Sequence, residues 1–328
     1  MWVLPANVTV PVEALCYPRP HQDAEACAVI QANSNSSAFH AKFPAGYDLP
    51  HEWSCHVPGR NSSTYVPTES CADVQPGGAA SYWGGSAARI GGGFTWSDVY
   101  PAAHDNGVVV GGTCPTIGII GRYLQGGGHG AAMHGYGFGS DQVLEFNVVL
   151  ADDSKVLASP CSSPDLFQAL RGGCPRTYGI VTSATVRTYP ETPMSALVLQ
   201  IIPQECSGAA AKDFSLSGVN PAFRRALLIN IVSRSWNGLT PYADIKAAQK
   251  DVAYHKGKAQ LAFAPDTGSY LNEGNFLDPD YLTNQFGAVL PTLEAAKKKY
   301  DPTDLCYCPT CVCSQHWAEE ADGHLCTV

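Results

Sequence analysis

The sequence predicts an α+β fold. Three observations carry that expectation. Residues 81–190 read as short strands with small helices between them. A β-hairpin pattern lies in their middle. The composition, 45% hydrophobic against 15% charged with 32 glycines and 24 prolines, is that of a well-packed body rich in turns.

Taken in order, residues 1–70 form a polar leader carrying Cys16, Cys27 and Cys55, with Cys71 just beyond it and a short helical patch over 23–31. From 81 onward ARIGGGFTWSDVYPAAHDNG predicts a strand, a glycine turn and a helix from Trp96 to about Asn106, capped by Thr95 or Ser97. VVVGG is a brief buried strand. DQVLEFNVVLADDSKVLAS predicts a hairpin turning at Asp152-Asp153-Ser154. SSPDLFQALRGG is a short helix with Ser163 or Asp165 at its start, Leu166, Phe167 and Leu170 on one face, and Gly172 as its stop. YGIVTSATVRTYP, rich in β-branched residues, is a strand ended by Pro190.

Beyond that, SALVLQIIP and RALLINIVS predict strands, and YADIKAAQKDVAYHKGKAQL an amphipathic helix. A last helix is expected from about Tyr281 to Lys299, its basic end suited to a helix C-terminus. The expected organisation is an N-terminal extension over 1–70 and a first body over 71–190. A reduced sheet-plus-helix domain over 191–263 follows, and a closing segment over 264–328 returns to the first body.

Bulk properties narrow the function. A net charge of −9 argues against nucleic acid or an anionic membrane as partner, and no apolar run approaches the roughly 20 residues of a membrane span. Thirteen cysteines point to an oxidising compartment. The sequons Asn7-Val8-Thr9, Asn35-Ser36-Ser37 and Asn61-Ser62-Ser63 agree. Secretion is the expectation, although MWVLPANVTVPVEAL has neither the basic start nor the apolar core of an export signal. The odd cysteine count leaves at least one unpaired, either a buried inert thiol or Cys114.

The stretch 111–130, GGTCPTIGIIGRYLQGGGHG, has eight glycines among its twenty residues, a density that costs conformational entropy. Free backbone N–H groups in such a run can cradle a pyrophosphate. No lysine follows at the spacing of a P-loop, and no long helix follows as in a G-x-G-x-x-G nucleotide site. Two readings stay open: a glycine-lined bed for a large flat or multiply anionic ligand with a thiol at its edge, or a turn cluster that binds nothing.

This stretch, together with AAMHGYGFGSDQVLEFNVVLADDSKVLAS, DLFQALRGG and YGIVTSATVRTYP, resembles the FAD-binding half of the berberine-bridge-enzyme-like flavin oxidases. Those enzymes belong to the vanillyl-alcohol-oxidase superfamily and carry a PCMH-type FAD domain. Their pattern runs G-x-C-P-T-V-G, a G-G-G loop, Y-G-(x)₃-D, D-L-F-W-A-L-R-G-G-G and G-I-V-T. The C-terminal YLNEGNFLDPDY and KKKYDPTDL resemble the close of secreted fungal members. The resemblance covers residues 81–190 and 264–328.

It implies an incomplete PCMH-type FAD-binding domain with a reduced antiparallel-sheet-plus-helix substrate domain. It implies FAD as cofactor, with Cys114 able to form a thioether to flavin carbon 6; a disulfide is the other possible fate of that thiol. It also implies that Thr116, Gly118, Gly121, Gly126, Gly127 and Gly128 line the flavin, that Ile180 and Val181 offer backbone groups, and that Asn272 lies on the cofactor side. Asp141 and Gly179 are expected to shape turns, Asp165 to cap its helix, and Tyr136 to pack in the core. The implied reaction is hydride transfer from an alcohol or amine carbon to flavin N5, with oxygen as second substrate and hydrogen peroxide as product. No catalytic base is assigned. His129, His134 and Glu273 lie near recognised motifs, and bland roles are expected of them.

The chain also departs from the family. The R-x-x-G-H or T-G-H-x-x-x-G-R-S segment, whose histidine makes a second flavin bond, does not occur before Ser81, so one strand-helix-strand unit of the FAD domain is expected to be missing. Arg122 stands where a second glycine is usual, and a positive φ there would cost about 1–2 kcal/mol. Gln168 replaces a tryptophan, and Val289-Leu290 replaces an N-Y pair. These departures favour an alternative reading as a non-catalytic secreted scaffold. In CYCPTCVC (306–313), Cys308 and Cys311 have C-x-x-C spacing; zinc is conceivable there, and disulfides are expected.

Overall fold

The computed structural model describes residues 8–9, 24–32, 46–47, 83, 87–104, 108–190, 216–226, 229–236, 240–319 and 325–328. A two-residue pairing of β1 (Val8–Thr9) with β2 (Gly46–Tyr47) and a helix at Ala24–Ala32 come first. The helix falls where the sequence predicts it, and its Cys27 is disulfide-bonded.

The central element is a four-stranded antiparallel sheet in the order β3 (Ala87–Gly91), β6 (Ile180–Arg187), β4 (Val143–Val149), β5 (Lys155–Ala158). β4 and β5 form the predicted hairpin. Asp153 has a φ of 64° at its tip, and Ser154 N donates to Asp152 Oδ1 at 3.0 Å. Aspartate tolerates that left-handed turn better than a branched residue would.

One face of the sheet is covered by the Pro164–Leu170 helix and by a helical turn at Ile119–Leu124. Phe146, Ala184, Leu166, Leu170, Ile119 and Leu124 are wholly buried in the shared core. Each such side chain contributes about 1.5–3 kcal/mol relative to exposure. The Trp96–His104 helix begins at Thr95, whose N–H and hydroxyl both donate to Asp98 Oδ2 at 2.8 Å. Asp98 N donates in turn to the Thr95 carbonyl at 3.1 Å, so the helix starts at Thr95; Ser97 instead binds Pro115 O through its N–H and hydroxyl.

Several expectations need correction. The Pro164–Leu170 helix does stop at Gly172, with φ 106°, but Ser163 gives it no side-chain cap. Asp165 bonds its neighbour Leu166 N and spends its other contacts on Tyr300 and Lys299. It fastens two helices together. The helix expected over 281–299 is two, Tyr281–Phe286 and Leu290–Tyr300. Gly287, with φ 54°, and Pro291 in the first turn of the second helix divide it.

Among its described residues RALLINIVS forms no strand. It follows the short Pro221–Arg224 helix, and its described residues run irregularly, with Ile231 55% exposed. SALVLQIIP lies outside the described residues. Among the described residues of 191–263 no strand occurs, so the reduced antiparallel sheet expected there is not seen. The helix predicted after it is present as Tyr242–Asp251 and Lys258–Phe263, joined by a wider turn at Val252–Gly257. Near the C-terminus, β7 (Trp317–Glu319) and β8 (Leu325–Thr327) pair in a way the sequence did not suggest. Among the described residues no helix is long and apolar enough to cross a membrane.

Candidate cofactor site

The glycine-rich stretch divides into two functions. Building a side chain at each glycine shows which space is already taken. At Gly111 a Cβ would meet Trp96 Cδ2 at 2.8 Å, at Gly112 Tyr123 Cε2 at 3.0 Å, and at Gly128 Tyr123 Cε1 at 2.6 Å. Gly126 is covered by Asn272, Gly127 by Val219, and Gly130 by the Gly111 carbonyl. Gly118 and Gly121 have nothing within 4 Å. Six of the eight glycines therefore let the protein's own groups approach, and two face open space.

The three consecutive glycines also have no spare donors. Gly126 N donates to Arg122 O, Gly127 N to Leu124 O and Gly128 N to the Tyr270 hydroxyl. The space beside Gly126, Gly127 and Gly128 is occupied by Asn272, Val219 and Tyr123 respectively. Gly127 and Gly128 have φ values of 112° and 74°, where a side chain would be strained.

The Cys-Pro-Thr turn lies on the open side. Ser97 N and Oγ hold Pro115 O at 2.7 and 3.0 Å, and Ile119 N donates to Phe94 O. Cys114 is exposed and has no disulfide partner; its Sγ lies 3.5 Å from Thr116 Oγ1. The disulfide alternative for this thiol is not what the structure shows. The Ile119–Leu124 turn behind it is anchored by four buried side chains and packs on β6.

At the start of β6, Ile180 is 64% exposed and Val181 is buried, as strand alternation requires. Both pair with β4. β3 ends opposite Ser183, so the β3-side edge of residues 180–181 has no strand beside it.

Asn272 arrives from the C-terminal segment, in a short turn at Leu271–Glu273. Its Nδ2 donates to Arg122 O at 3.2 Å and to the Tyr270 hydroxyl at 2.6 Å. Arg122 Nη2 donates back to Asn272 O at 2.7 Å. Arg122 is not among the residues of positive φ, so the strain considered for it does not arise: the arginine clamps the C-terminal segment. Asn272 Oδ1 is buried and has no hydrogen-bond partner, an acceptor that costs free energy until a donor meets it.

Sequence reasoning missed Tyr270. Its hydroxyl accepts from both Gly128 N and Asn272, its ring meets His129 edge-on at 4.9 Å, and Phe223 stacks on it at 5.2 Å. Burial pushes its hydroxyl up to about 12. His129 Nε2 lies 2.9 Å from Glu273 Oε1, both partly exposed. The side chain of His134 lies outside the described residues.

Asp141 receives two hydrogen bonds from Arg224, at 2.8 and 2.6 Å, and lies 3.5 Å from Arg171. Burial alone would raise its carboxyl, but the Arg224 bonds and charge, then Arg171, hold it below the usual carboxylate range. Asp141 is an ion-pair centre and not merely a turn residue. Tyr136, expected in the core, is half-buried and packs against Tyr189 at 4.2 Å outside it. Gly179, with φ 150°, shapes the entry to β6.

Residues 84–158 match the model of an FAD binding domain family. An FAD-linked oxidoreductase of Hypomyces subiculosus is 28% identical over 80% of this chain, and one of Gibberella fujikuroi is 32% identical over 58%. This chain spans 65% and 43% of the lengths of those two relatives. A VAO-type flavoprotein of Myceliophthora thermophila shares the fold, with a TM-score of 0.73 at 20% identity, covering 98% of this chain and 95% of its own. Residues 84–158 thus carry the signature of an FAD binding domain, and the chain shares its fold with VAO-type flavoproteins.

Proposed function

We propose that the chain holds FAD against the open face made by Cys114, Thr116, Gly118 and Gly121, and works as a secreted FAD-dependent oxidoreductase. One observation carries this reading. An exposed, unpaired thiol stands within seven residues of two glycines whose missing side chains leave open space. The residues present fit the cofactor. A flat ring needs an unobstructed bed, a thioether needs a free thiol, and the partnerless Asn272 Oδ1 suits a ring N–H.

When bound, the flavin supplies hydride acceptance at N5 from an alcohol or amine carbon, with oxygen taking the electrons on to hydrogen peroxide. The protein's groups do the rest. Joining Cys114 Sγ to flavin carbon 6 would fix the ring; it removes the thiol proton and the ring hydrogen with two electrons, which oxygen accepts. Ile180 and Val181 border the bed at the unpaired edge of β6. Gly126, Gly127 and Gly128 act one layer back, letting Asn272 and Tyr270 close upon the turn. The His129–Glu273 pair is the ionisable pair beside Tyr270 and the candidate for exchanging a proton with a small-molecule substrate.

A second reading, a non-catalytic scaffold of the same fold, is favoured by Val289-Leu290, which stands where the family resemblance places an N-Y pair. The two are separated by supplying FAD to the purified protein and screening alcohols and amines without oxygen. Bleaching of a bound flavin and return of its colour in air, with hydrogen peroxide released, supports the oxidoreductase. Protein that stays colourless after incubation with FAD supports the scaffold.

A further inference from the structure

Cys174, Cys308 and Cys311 gather three sulfurs at one point. The structure pairs Cys311 in disulfide contact with both Cys174 and Cys308, and the Cys174 and Cys308 sulfurs are 3.7 Å apart. A sulfur forms one disulfide, so whichever residue holds Cys311, the other is a thiol lying against the bond. Cys174 and Cys311 are buried, and Cys308 is partly exposed. The Pro175 carbonyl accepts from Cys308 Sγ at 3.4 Å, and Thr177 Oγ1 stands 3.8 Å from the same sulfur. The three are therefore held together by the fold rather than by the bridge alone.

The backbone adds an independent sign. Cys174 has a φ of 115°, and Thr310, between the other two cysteines, a φ of 58°. Both lie in the left-handed half of the map that favours glycine. A non-glycine residue held there is strained, and such strain persists where surrounding structure or chemistry demands that side chain.

We propose that Cys174, Cys308 and Cys311 form a thiol–disulfide exchange site in which Cys311 alternates between the other two. The Cys308 thiolate attacks Cys311 Sγ, the Cys174–Cys311 bond breaks, and Cys174 leaves as a thiolate that takes up the proton Cys308 gave up. One S–S bond forms as one breaks, so no oxidant or reductant is consumed.

The two bonded states differ in reach. The Cys174–Cys311 bond closes 137 residues and ties the end of the Pro164–Leu170 helix to the C-terminal segment. The Cys308–Cys311 bond closes three. Exchange thus converts a long-range tether into a local one. The non-covalent hold of Lys297 on the Thr177 carbonyl remains throughout.

The test uses the full chain, quenched in acid, alkylated with N-ethylmaleimide, digested without reduction and mapped by mass spectrometry. The proposal expects both linkages in the wild type, with the adduct on Cys308 in one population and on Cys174 in the other. Their ratio should drift when the protein is held at mildly alkaline pH before quenching. Cys308→Ser should give only the Cys174–Cys311 linkage and Cys174→Ser only Cys308–Cys311, each retaining one bridge. A single wild-type linkage at every quench time would overturn the proposal. So would one equivalent of zinc with all three thiols open to alkylation, since that is a metal site.

Discussion

Gly121 and Gly126 stand five residues apart in one turn, and their alanine variants separate a ligand-facing glycine from a packing glycine. At Gly126 the added methyl carbon would sit 2.6 Å from Asn272 Cγ. The asparagine must move, giving up its bonds to Arg122 O and the Tyr270 hydroxyl. Overpacking of this kind costs about 1–3 kcal/mol, and the two hydrogen bonds add about 1 kcal/mol each. With a shift of about 2–4 °C per kcal/mol for a domain of this size, Gly126→Ala should lower the melting temperature by about 6–20 °C.

At Gly121 the methyl meets nothing within 4 Å, the φ is not positive, and the residue lies in a helical turn. Alanine there is neutral or stabilising by about 0.5–1 kcal/mol. Bound flavin would itself raise the melting temperature. Both variants are therefore compared by differential scanning calorimetry in a Cys114→Ala background stripped of flavin. Equal destabilisation by the two, or a neutral Gly126→Ala, would refute the division of the glycines.

Asp141→Asn leaves the buried Arg224 guanidinium without its counter-charge and should cost about 3–5 kcal/mol, read as a lower urea midpoint. The folded Asp141 carboxyl lies below its unfolded value, so its contribution is complete above the ordinary carboxylate range. It is lost as pH falls through the folded value; acid titrations of wild type and variant should therefore converge. Tyr270→Phe keeps the stack on Phe223 but strips the acceptor from Gly128 N and Asn272 Nδ2. A loss of about 1–3 kcal/mol is expected, with faster hydrogen exchange at the Gly128 amide.

What could be read from sequence was local. The Asp152-Asp153-Ser154 hairpin, the Thr95 start of the Trp96 helix and the Gly172 stop follow from signals within a few residues of each element. What failed was non-local. A glycine reads the same whether a cofactor or a neighbouring ring fills its space; the group over Gly126 comes from residue 272, and the one over Gly127 from residue 219. Asp165 carries a helix-start signal, yet Lys299 and Tyr300 claim its carboxylate. RALLINIVS has strand composition but pairs with no strand among the described residues, and backbone pairing is what makes a strand. Tyr270 gave no signal at all, since a single tyrosine in YLNE looks like any surface aromatic.

Whether Cys114 faces a flavin is tested most directly by acid precipitation. Wild type and Cys114→Ala are purified, supplied with FAD in air and precipitated with trichloroacetic acid, and the pellets are redissolved for absorption. A thioether at Cys114 gives flavin absorbance in the wild-type pellet and none in that of Cys114→Ala, whose flavin stays in the supernatant. Flavin retained equally by both pellets, or absent from the wild type, would contradict it.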